Sequence, residues 1–340
     1  MIKRLCAALL ALLLCLPAAL ADTVSSKNYS KYIDFFRASD TLVKIPGLDE
    51  GYVPQGMCAL PGERLLVISA YHAEKPSLLF FVDTGTGECV KRLTITSLDG
   101  TLYKGHAGGV AAGHHSLFVA SDKLARRIDL SAALAAPDGG TAPVADVILT
   151  DTRASLACVA DGVLWVGDFY AAGGKYPTQS AHHMKTPSGD FHCAWAVGYI
   201  LDQDAPNEIN PARVGADGIV APDYVLSLPD KVQGMTRLDD GRFVLSISYG
   251  RNNASALSVY ENVLAEEPHA FVTVGGVETP LWYLDQAKLQ KSCKAPTMAE
   301  AVDTADGALY LLFESGAQTY SNGACPLTSV YEIKQENIPY

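Results

Sequence analysis

The chain has 340 residues, of which 49% are hydrophobic and 19% are charged, and its formal net charge is −11. A chain of this composition can bury a large core, and all-β chains of this length can form one domain. Because an acidic surface repels phosphate backbones and anionic lipids, the charge argues against nucleic acids and membrane surfaces as partners.

The first residues have the pattern of a secretory signal peptide. Lys3 and Arg4 precede an apolar run at residues 5–16, and the motif Ala-Leu-Ala follows at residues 19–21. The apolar run is too short to span a bilayer, and the motif is a typical cleavage site. The pattern predicts a cleaved signal peptide, a mature chain that begins at Asp22, and a secreted or periplasmic location. No later apolar stretch approaches the ~20 residues of a transmembrane helix, so we expect no membrane insertion.

From there on, one sequence pattern recurs. Residues 55–71 read QGMCALPGERLLVISAY and residues 233–249 read QGMTRLDDGRFVLSISY, with the Gln-Gly-Met opening and closing Tyr aligned without a gap. Three looser copies also give a strand, a turn with Gly and a second strand: residues 108–122 (GGVAAGHHSLFVASD), 155–169 (SLACVADGVLWVGDF) and 300–315 (EAVDTADGALYLLFES). Each copy predicts a β-hairpin.

Further strand-like sequence follows each copy. These segments are residues 78–83, 89–95, 124–130, 144–149, 195–201, 224–228, 257–260, 281–284 and 329–333. Four strands per repeat are the signature of β-propeller blades. Helical periodicity is confined to residues 30–37 and 284–291. The sequence therefore predicts an all-β fold, a single five-bladed β-propeller domain over residues 22–340.

The two ends of the chain predict how the propeller closes. The fifth repeat stops one strand short, whereas residues 41–45, before the first repeat, are apolar and β-like. We expect this N-terminal strand to complete the last blade beside residues 329–333 and so leave no open edge. A six-bladed propeller is the alternative, with residues 261–294 as the extra blade.

Six cysteines remain after the predicted cleavage. They are Cys58, Cys89, Cys158, Cys193, Cys293 and Cys325. Export permits disulfide bonds, so the sequence is compatible with buried thiols or with one to three bridges, whose pairing it does not fix. None of the six belongs to a CxxC pair, so a zinc or thioredoxin-like site has little support.

The motifs PQGM, GHAGGVAA, LWVGDF, KVQGM with LSISYGRN, and LYLLFESGA resemble those of secreted bacterial β-propellers in the broad NHL and gluconolactonase-like superfamily. The resemblance covers about residues 50–335 and mostly concerns blade architecture. It implies the fold more strongly than the reaction, because propellers host many functions. A gluconolactonase-like enzyme would bind a divalent cation through Glu, Asn and Asp on different blades. Glu300 matches that Glu by position and is the best metal candidate, but no Asn and Asp partners match.

Propeller topology predicts which residues share one face. The first strand of each blade runs down the central channel and the second returns, so its end lies beside the start of the first. We predict catalytic roles for Glu300, Glu314, His106 and Asp168, and ligand binding by Gln55, Tyr71, Gln233, Tyr249, Arg251 and Asn252.

These positions also have structural interpretations. Gln55 and Gln233 occupy equivalent positions, so they can brace the blades through backbone hydrogen bonds. Glu300 places a charge at the same position and therefore needs a partner, a metal or a ligand. His106 can bond its own turn or act as an acid or base, and Arg251 can clamp a carboxylate or pair with Asp168 or Glu314.

The connection over residues 170–193 is unusually long and contains no clear strand. It carries six polar or aromatic side chains, Lys175, Tyr176, His182, His183, Lys185 and His192. Loops of this length in compact domains are typically lids or binding loops. Adjacent side chains on an extended chain point apart, so His182 and His183 are a weak metal signal. We interpret the segment as a lid over the channel mouth.

The leading functional hypothesis is a propeller that binds a small polar molecule or a carbohydrate at the channel mouth. The sequence leaves open whether it is an enzyme. A reaction would be hydrolysis or elimination by carboxylate and histidine acid–base chemistry, with or without a divalent cation. There is no GxGxxG after a strand, Walker-type loop, GxSxG or HExxH. The alternatives are a metal-dependent lactonase-like hydrolase and a non-catalytic envelope scaffold that binds an extracellular protein. We expect a monomer.

Overall fold

The computed structural model describes residues 22–60, 62–205 and 207–339, so the predicted signal peptide lies outside the described residues. The described chain opens with two short helices and one strand: α1 (Ser26–Lys31), α2 (Ile33–Ala38) and β1 (Ser39–Lys44). Among the described residues, no helix is long and apolar enough to cross a bilayer.

The next eight strands form one sheet. They are β2 (Val53–Ala59), β3 (Leu65–Tyr71), β4 (Leu78–Asp83), β5 (Cys89–Thr96), β6 (Gly109–Ala112), β7 (Ser116–Ser121), β8 (Leu124–Asp129) and β9 (Thr141–Leu149), with helix α3 (Leu130–Ala135) before β9. Strands β2 to β5 are an antiparallel meander, the first unit, and β6 to β9 are the second unit. A short parallel contact between β5 and β9 joins the two units.

A six-stranded sheet contains the third unit. Its strands and those of the adjoining ribbon are β10 (Leu156–Ala160), β11 (Val163–Gly167), β12 (Met184–Lys185), β13 (Phe191–His192), β14 (Ala194–Ile200) and β15 (Tyr224–Leu228). Strands β10, β11, β14 and β15 form the antiparallel unit, and the β12–β13 ribbon belongs to the long connection. The prediction of no strand in that connection therefore missed this short ribbon.

The remaining strands form the fourth and fifth units. They are β16 (Val232–Arg237), β17 (Phe243–Ile247), β18 (Ser255–Tyr260), β19 (Ala270–Val274), β20 (Val277–Tyr283), β21 (Leu289–Ala295), β22 (Ala299–Ala305), β23 (Ala308–Phe313) and β24 (Ser329–Lys334). The fourth unit is β16–β17–β18–β21, and the fifth is β22–β23–β24 with β1. The β19–β20 hairpin extends the third unit through a parallel contact with β15.

Residues 261–294, the extra blade of the alternative prediction, do not form a sheet of their own. They supply the β19–β20 hairpin to one sheet and β21 to another. The helix predicted at residues 284–291 is wrong, because β21 begins at Leu289 and its buried side chains alternate with exposed ones, as in a strand.

The first strands of the five units form a closed ring. Strand β2 contacts β6 and β22, β10 contacts β6 and β16, and β16 contacts β22. The apolar core is divided among the junctions between neighbouring units, so each unit packs its two faces against two others. This packing holds the five first strands side by side around one central axis.

Glycine in the recurring Gln-Gly-Met opening allows this close approach. A Cβ atom on Gly56 would lie 2.3 Å from the backbone nitrogen of Val110 on the neighbouring first strand, and one on Gly234 would lie 2.6 Å from the carbonyl oxygen of Glu300. Real Cβ atoms do not approach backbone this closely, so only glycine fits between these strands.

The predicted pairing of the N-terminal strand with the end of the chain is confirmed. Strand β1 runs antiparallel to β24, with Ser39 opposite Ile333 and Lys44 opposite Ser329. The side chain of Asp22 reinforces this junction: its carboxylate accepts hydrogen bonds from the Thr328 backbone nitrogen (3.0 Å) and the Tyr331 hydroxyl (3.0 Å). The edge of the fifth unit is therefore covered by the first strand of the chain.

We expect Asp22→Ala to lower the free energy of unfolding at pH 7 by about 2 kcal/mol, because partly buried donors on Thr328 and Tyr331 lose their acceptor. Burial alone would raise the pKa of Asp22, but hydrogen bonds from Thr328 and the Lys44 charge outweigh it and lower the pKa. The stabilisation by Asp22 is therefore present above pH 3.8, the ordinary pKa of an Asp side chain. It is lost as the pH falls through the lowered pKa of Asp22 in the folded protein. Urea unfolding at pH 7 and pH 3 measures it. The exposed Asp40→Ala control should change stability little, and equal stability of the two variants would contradict the prediction.

All six described cysteines are free thiols, so no disulfide is present in the described structure. Five of them are buried and Cys89 is exposed. Cys58, Cys158 and Cys293 lie on strands of three different units, which explains why strand pairing does not bring them together. Of the two options that the sequence left open, the structure has buried thiols.

Candidate functional site

A cavity of about 850 Å³ lies at the end of the ring where the first strands begin and the second strands end. Every unit contributes to it. Its lining includes Gln55, Tyr71, His106, Gly108, Asp122, Lys123, Arg153, Ser155, Phe169, Lys175, Tyr176, Gln233, Tyr249, Arg251, Glu300, Glu314 and Tyr320. Eight of the ten predicted site residues are in this lining, and Asp168 and Asn252 are not.

Local irregularities in the first strands direct three of these side chains into the cavity. The strand register shifts between Pro54 and Gly56, between Val232 and Gly234, and between Ala299 and Val302. A β-bulge gives one strand an extra residue and turns its side chain out of the regular alternation. Gln55, Gln233 and Glu300 lie within these three irregularities, which explains how side chains of first strands reach the channel.

Glu300 and Glu314 form a carboxyl pair at the floor of the cavity. Gln233 Nε2 donates to Glu300 Oε1 at 2.8 Å, and Gln55 Nε2 donates to Glu314 Oε2 at 3.0 Å. Both bonds cross from a neighbouring unit to the fifth. The prediction that the two glutamines brace units through backbone bonds therefore needs correction, because the bonds that cross between units go to carboxylates.

The two carboxyl groups share a proton. Burial, the charge of Glu314 and a hydrogen bond to it raise the pKa of Glu300 well above its usual range. Burial also raises the pKa of Glu314 to about 7, although hydrogen bonds from Glu300 and Gln55 and the charge of Arg251 act to lower it. Glu300 therefore holds the proton at neutral pH and donates it in a hydrogen bond to Glu314. Because Glu300 is 3% exposed and Glu314 is partly exposed, Glu314 is the member that a ligand can reach.

Aromatic side chains line the wall of the cavity. Tyr71 and His106 are stacked with their ring centroids 4.4 Å apart, and Phe169 contacts Tyr176 edge-on at 5.0 Å. The ring centroids of Tyr249 and Phe169 are 6.0 Å apart. Burial lowers the pKa of His106, although the charge of Asp122 opposes the shift, so its imidazole is neutral at pH 7. These rings provide flat apolar faces next to the polar floor.

Arg251 lies at the rim. Its guanidinium carbon is 4.7 Å from the centroid of the Tyr320 ring, and the Tyr320 hydroxyl is 3.5 Å from that of Tyr71. The next residue, Asn252, is exposed and does not reach the cavity, because the chain turns outward there. The ligand-binding prediction for Asn252 therefore lacks structural support.

Asp168 is a buried structural carboxylate and not a cavity residue. Its Oδ1 accepts a hydrogen bond from the Arg153 backbone nitrogen at 2.7 Å, and its Oδ2 contacts His182 Nδ1 at 2.7 Å. Trp195 also donates its backbone N–H to Asp168 Oδ2, at 3.1 Å. Because these bonds occupy both oxygens away from solvent, the catalytic prediction for Asp168 is corrected. It fixes Arg153 and the adjacent wall residue Phe169.

The long connection over residues 170–193 lies against the same face, and Lys175 and Tyr176 enter the cavity wall. His182 anchors it: its ring stacks on Trp195 with centroids 4.1 Å apart and contacts Asp151 Oδ2 at 3.3 Å as well as Asp168. Burial disfavours charge on this imidazole, but hydrogen bonds to the two carboxylates outweigh burial and raise the pKa of His182 to about 9. The loop is therefore held by a charged clamp at neutral pH.

Lining residues that the sequence analysis did not predict include Lys123, Arg153, Phe169 and Tyr320. Lys123 lies one position after the aligned segment of residues 108–122, and Arg153 lies two positions before the aligned segment of residues 155–169. Tyr320 lies in one of the short 3₁₀ helices, Gln318–Tyr320, inside a loop without periodicity. Extending each aligned copy by one or two residues would have found Lys123 and Arg153, whereas no repeat or periodic pattern points to Tyr320.

No three His, Cys, Asp or Glu side chains converge as a metal-binding cluster in residues 22–60, 62–205 and 207–339. Glu300 and Glu314 supply two carboxyl groups at the floor of the cavity, and each accepts a hydrogen bond from the Nε2 atom of a glutamine.

No family model matches the chain, and no curated protein matches it. Solved structures do. They include the PQQ-bound aldose sugar dehydrogenase from Streptomyces coelicolor, with 13% identity and a TM-score of 0.46, covering 87% of this chain and 96% of that one. Another is the glutaminyl cyclase from Myxococcus xanthus, with 10% identity and a TM-score of 0.43, also covering 87% and 96%. A third is the GH43_1 enzyme from Xanthomonas citri, with 12% identity and a TM-score of 0.40, covering 89% and 92%. At these values the similarities carry no argument about activity.

Proposed function

We propose that this chain is a five-bladed β-propeller. Three observations support five blades: the five four-stranded antiparallel units, the ring of their first strands, and the apolar core at each junction between neighbouring units. Strand β1 would then close the fifth blade beside β24, as propellers commonly do by joining the two ends of the chain. The β19–β20 hairpin is an addition to the third blade.

We infer that the central cavity binds a small polar ligand, with a carbohydrate as the favoured class. The observation that carries this inference is the buried Glu300–Glu314 pair beneath a wall of aromatic rings. A cavity with apolar faces and a few convergent polar groups is the usual form of a small-molecule site, and its volume of about 850 Å³ is within the usual range. A sugar offers the same combination of apolar ring faces and hydroxyl groups.

The carboxyl pair suits hydrolysis or elimination by acid–base chemistry. A carboxyl group with a pKa near 7 exchanges protons efficiently at neutral pH, and Glu314 has this value and faces the cavity. In this proposal Glu314 transfers the proton to or from the ligand. Glu300, the more buried member of the pair, shares that proton with Glu314 through their hydrogen bond. Gln55 and Gln233 hold the two carboxyl groups in place. His106 is neutral and forms part of the aromatic wall.

Binding and turnover of a carbohydrate panel test this proposal. We expect calorimetry to detect at least one sugar oligomer, and Glu314→Gln to retain that sugar but to lower its turnover by about 100-fold or more, because the proton-transferring group is lost. Asp303→Asn is a matched control, since Asp303 is also a buried carboxyl on β22 but lies outside the cavity lining. Binding without turnover in the wild type would favour a non-catalytic scaffold. No binding of any sugar would reject the proposal.

We also propose that the protein acts outside the cytoplasm after cleavage before Asp22. The basic residues, apolar run and Ala-Leu-Ala motif that precede Asp22 support this location. The mass of the chain purified from the periplasm or the culture medium tests it. A chain that keeps Lys3 and Arg4 and stays in the cytoplasm would contradict it.

A further inference from the structure

Four cationic side chains line the central cavity: Lys123, Arg153, Lys175 and Arg251. Among the described residues, none of the four forms an ion pair with a carboxylate. Lys175 Nζ lies 5.0 Å from the centroid of the Tyr176 ring, and Arg153 Nη1 donates to the Pro177 carbonyl oxygen at 3.1 Å. None of the four cations is therefore paired with a carboxylate within 4 Å in the described part of the chain, and only Arg251 is close enough to Glu314 for its charge to act on that group.

The acidic residues of the cavity do not balance these cations. Asp122 is the third carboxylate of the lining, and its Oδ2 lies 3.8 Å from Arg126 Nη2, so it already has a cationic partner. Glu300 is protonated at neutral pH and Glu314 is protonated in part, so the pair carries at most about one negative charge rather than two. The cavity is therefore a positive region in a chain whose net charge is −11.

This charge distribution indicates an anionic ligand. Unpaired Arg and Lys side chains around a concave site attract anions and form short charge-assisted hydrogen bonds with carboxylates. The proton on Glu300 contributes as well, because a neutral carboxyl group next to Glu314 repels an anion less than a second carboxylate would. The cations arise from the second unit, the long connection and the fourth unit, so they surround the cavity and do not form one patch.

The cavity also has more apolar wall than a small inorganic anion requires. Tyr249 is 39% exposed, and the stacked Tyr71–His106 pair and Phe169 line the same space. A volume of about 850 Å³ accommodates two or three sugar rings rather than one carboxylate or phosphate. Aromatic faces and unpaired cations in one cavity fit a ligand that has both sugar rings and negative charge.

We propose that the ligand of this cavity is an acidic oligosaccharide whose carboxylate binds Arg251 and Lys175 while its sugar rings stack on the aromatic wall. This proposal rests on the carbohydrate-binding function inferred above and specifies the class of sugar. Arg251 is the principal anchor because its planar guanidinium can hold a carboxylate through two parallel hydrogen bonds. Arg251, Glu300 and Glu314 line the same cavity, so a carboxylate bound to Arg251 would lie beside the proton-sharing pair.

Isothermal titration calorimetry with matched sugars tests the proposal. The probes are trimers of galacturonate, glucuronate and mannuronate, each compared with the neutral trimer made by reducing its carboxyl groups. We expect at least one acidic trimer to bind about tenfold or more tightly than its neutral counterpart at low salt, and the preference to shrink in concentrated salt. Citrate and inorganic phosphate serve as small-anion probes and should bind at least about tenfold more weakly than the preferred trimer, because they lack sugar rings.

Three variants locate the effect. Arg251→Gln and Lys175→Gln should each weaken binding of the acidic trimer by about tenfold and should weaken binding of the neutral trimer less, because a neutral sugar loses no charge-assisted bond. Lys294→Gln is the matched control, because Lys294 is exposed on β21 and lies outside the cavity lining. Circular dichroism and thermal unfolding establish that the variants fold.

The outcomes separate this inference from the function on which it rests. Equal binding of acidic and neutral trimers, or tight binding of neutral trimers alone, overturns the acidic ligand but leaves carbohydrate binding in place. Equal binding of citrate or phosphate and the preferred trimer overturns the requirement for sugar rings. Failure of every acidic and neutral trimer to bind rejects both the acidic ligand and carbohydrate binding. An acidic preference that survives both the Arg251 and Lys175 substitutions overturns the assignment of those residues.

Discussion

Glu300→Gln is expected to lower turnover by about 100-fold or more and to weaken ligand binding, while the protein stays folded. The substitution restores the residue type found at the equivalent positions Gln55 and Gln233, and it keeps the acceptor for Gln233 Nε2. What it removes is the proton that Glu300 shares with Glu314. With a permanent amide donor beside it, Glu314 should ionise at lower pH and lose its capacity to deliver a proton at neutral pH.

The same variant should gain about 1–3 kcal/mol in the free energy of unfolding at pH 8. The pKa values of Glu300 and Glu314 are raised by folding, so the folded wild type binds more protons than the unfolded chain above pH 4.5. The wild-type pair is therefore most favourable below pH 4.5 and loses stability as pH rises through about 7. The advantage of Glu300→Gln should accordingly appear above pH 4.5 and grow towards pH 8.

Thermal unfolding at pH 4.5, 6 and 8, together with sugar binding, measures both effects. Asp303→Asn controls for general removal of a buried carboxyl, because burial raises the pKa of Asp303 to about 7 in spite of its hydrogen bonds. That control should change the pH dependence of stability but should leave ligand binding and turnover intact. Unaltered binding and turnover in a folded Glu300→Gln protein would end the case for this site.

His182→Ala is expected to have the largest effect on stability, a loss of about 3–5 kcal/mol at pH 7. The substitution leaves Asp168, which is fully buried, without its charged partner, and it opens space against the Trp195 ring. Because His182 fastens the connection over residues 170–193, its loss should also release Lys175 and Tyr176 from the cavity wall. Proteolysis within the connection should then become faster than in the wild type.

The contribution of His182 should depend on pH with a definite sign. Its pKa rises from an ordinary value of 6.5 to about 9 on folding. The stabilisation is therefore fully present below pH 6.5 and is lost as pH rises through about 9. Urea unfolding at pH 6, 8 and 10 should show the difference between wild type and His182→Ala shrinking at the alkaline end.

The neighbouring His183 provides the control, because its ring bonds to the Thr178 hydroxyl at 2.9 Å and, in the part of the chain that the structure describes, forms no ion pair. His183→Ala should cost less stability than His182→Ala, because it breaks a hydrogen bond to a hydroxyl and not a clamp between two carboxylates. His182→Gln should recover part of the stability, since its amide can donate to one of the two carboxylates. A His182→Ala protein as stable as the His183→Ala control would contradict the clamp.

Much of the architecture follows from the repeated sequence. The copies at residues 55–71 and 233–249 contain the turn, the two strands and the glycine that lets neighbouring first strands approach, so the hairpins were predictable. The pairing of β1 with β24 was predictable as well, because the fifth repeat lacks one strand and the chain supplies one before the first. The β19–β20 hairpin was not, because its residues follow a strand pattern without belonging to the repeat.

The error at Asp168 comes from a one-residue offset. The copy at residues 155–169 aligns without a gap with residues 300–314, which places Phe169, not Asp168, at the position of Glu314. Successive side chains of a strand point to opposite sides. A shift of one residue in the assignment therefore moves the chosen side chain from the cavity to the protein interior. The gapless alignment therefore assigns the cavity position to Phe169.

The shared proton of Glu300 and Glu314 could not be predicted from sequence. Their equivalent positions in the repeat indicated one face, but the bulges that tilt Gln55, Gln233 and Glu300 into contact depend on backbone pairing. The raised pKa values depend in turn on burial of both carboxyl groups in the completed ring. The position of a residue in the repeat predicts which face of the fold it occupies. Proton sharing depends on the distance between the two carboxyl groups, which only the folded chain defines.

The pairing of β1 with β24 also constrains when the protein can fold. The hydrogen bond between Asp22 and Thr328 joins residues 306 positions apart, so the first strand has no partner until the ribosome has made almost the whole chain. Until then the edges of both the first and the last unit stay exposed, and such edges promote aggregation. Contacts this distant in sequence also slow folding, because the ends must meet before the ring gains its last core. A nascent chain whose outer strands pair only at the end of synthesis therefore depends more on protection from aggregation than a chain whose strands pair locally.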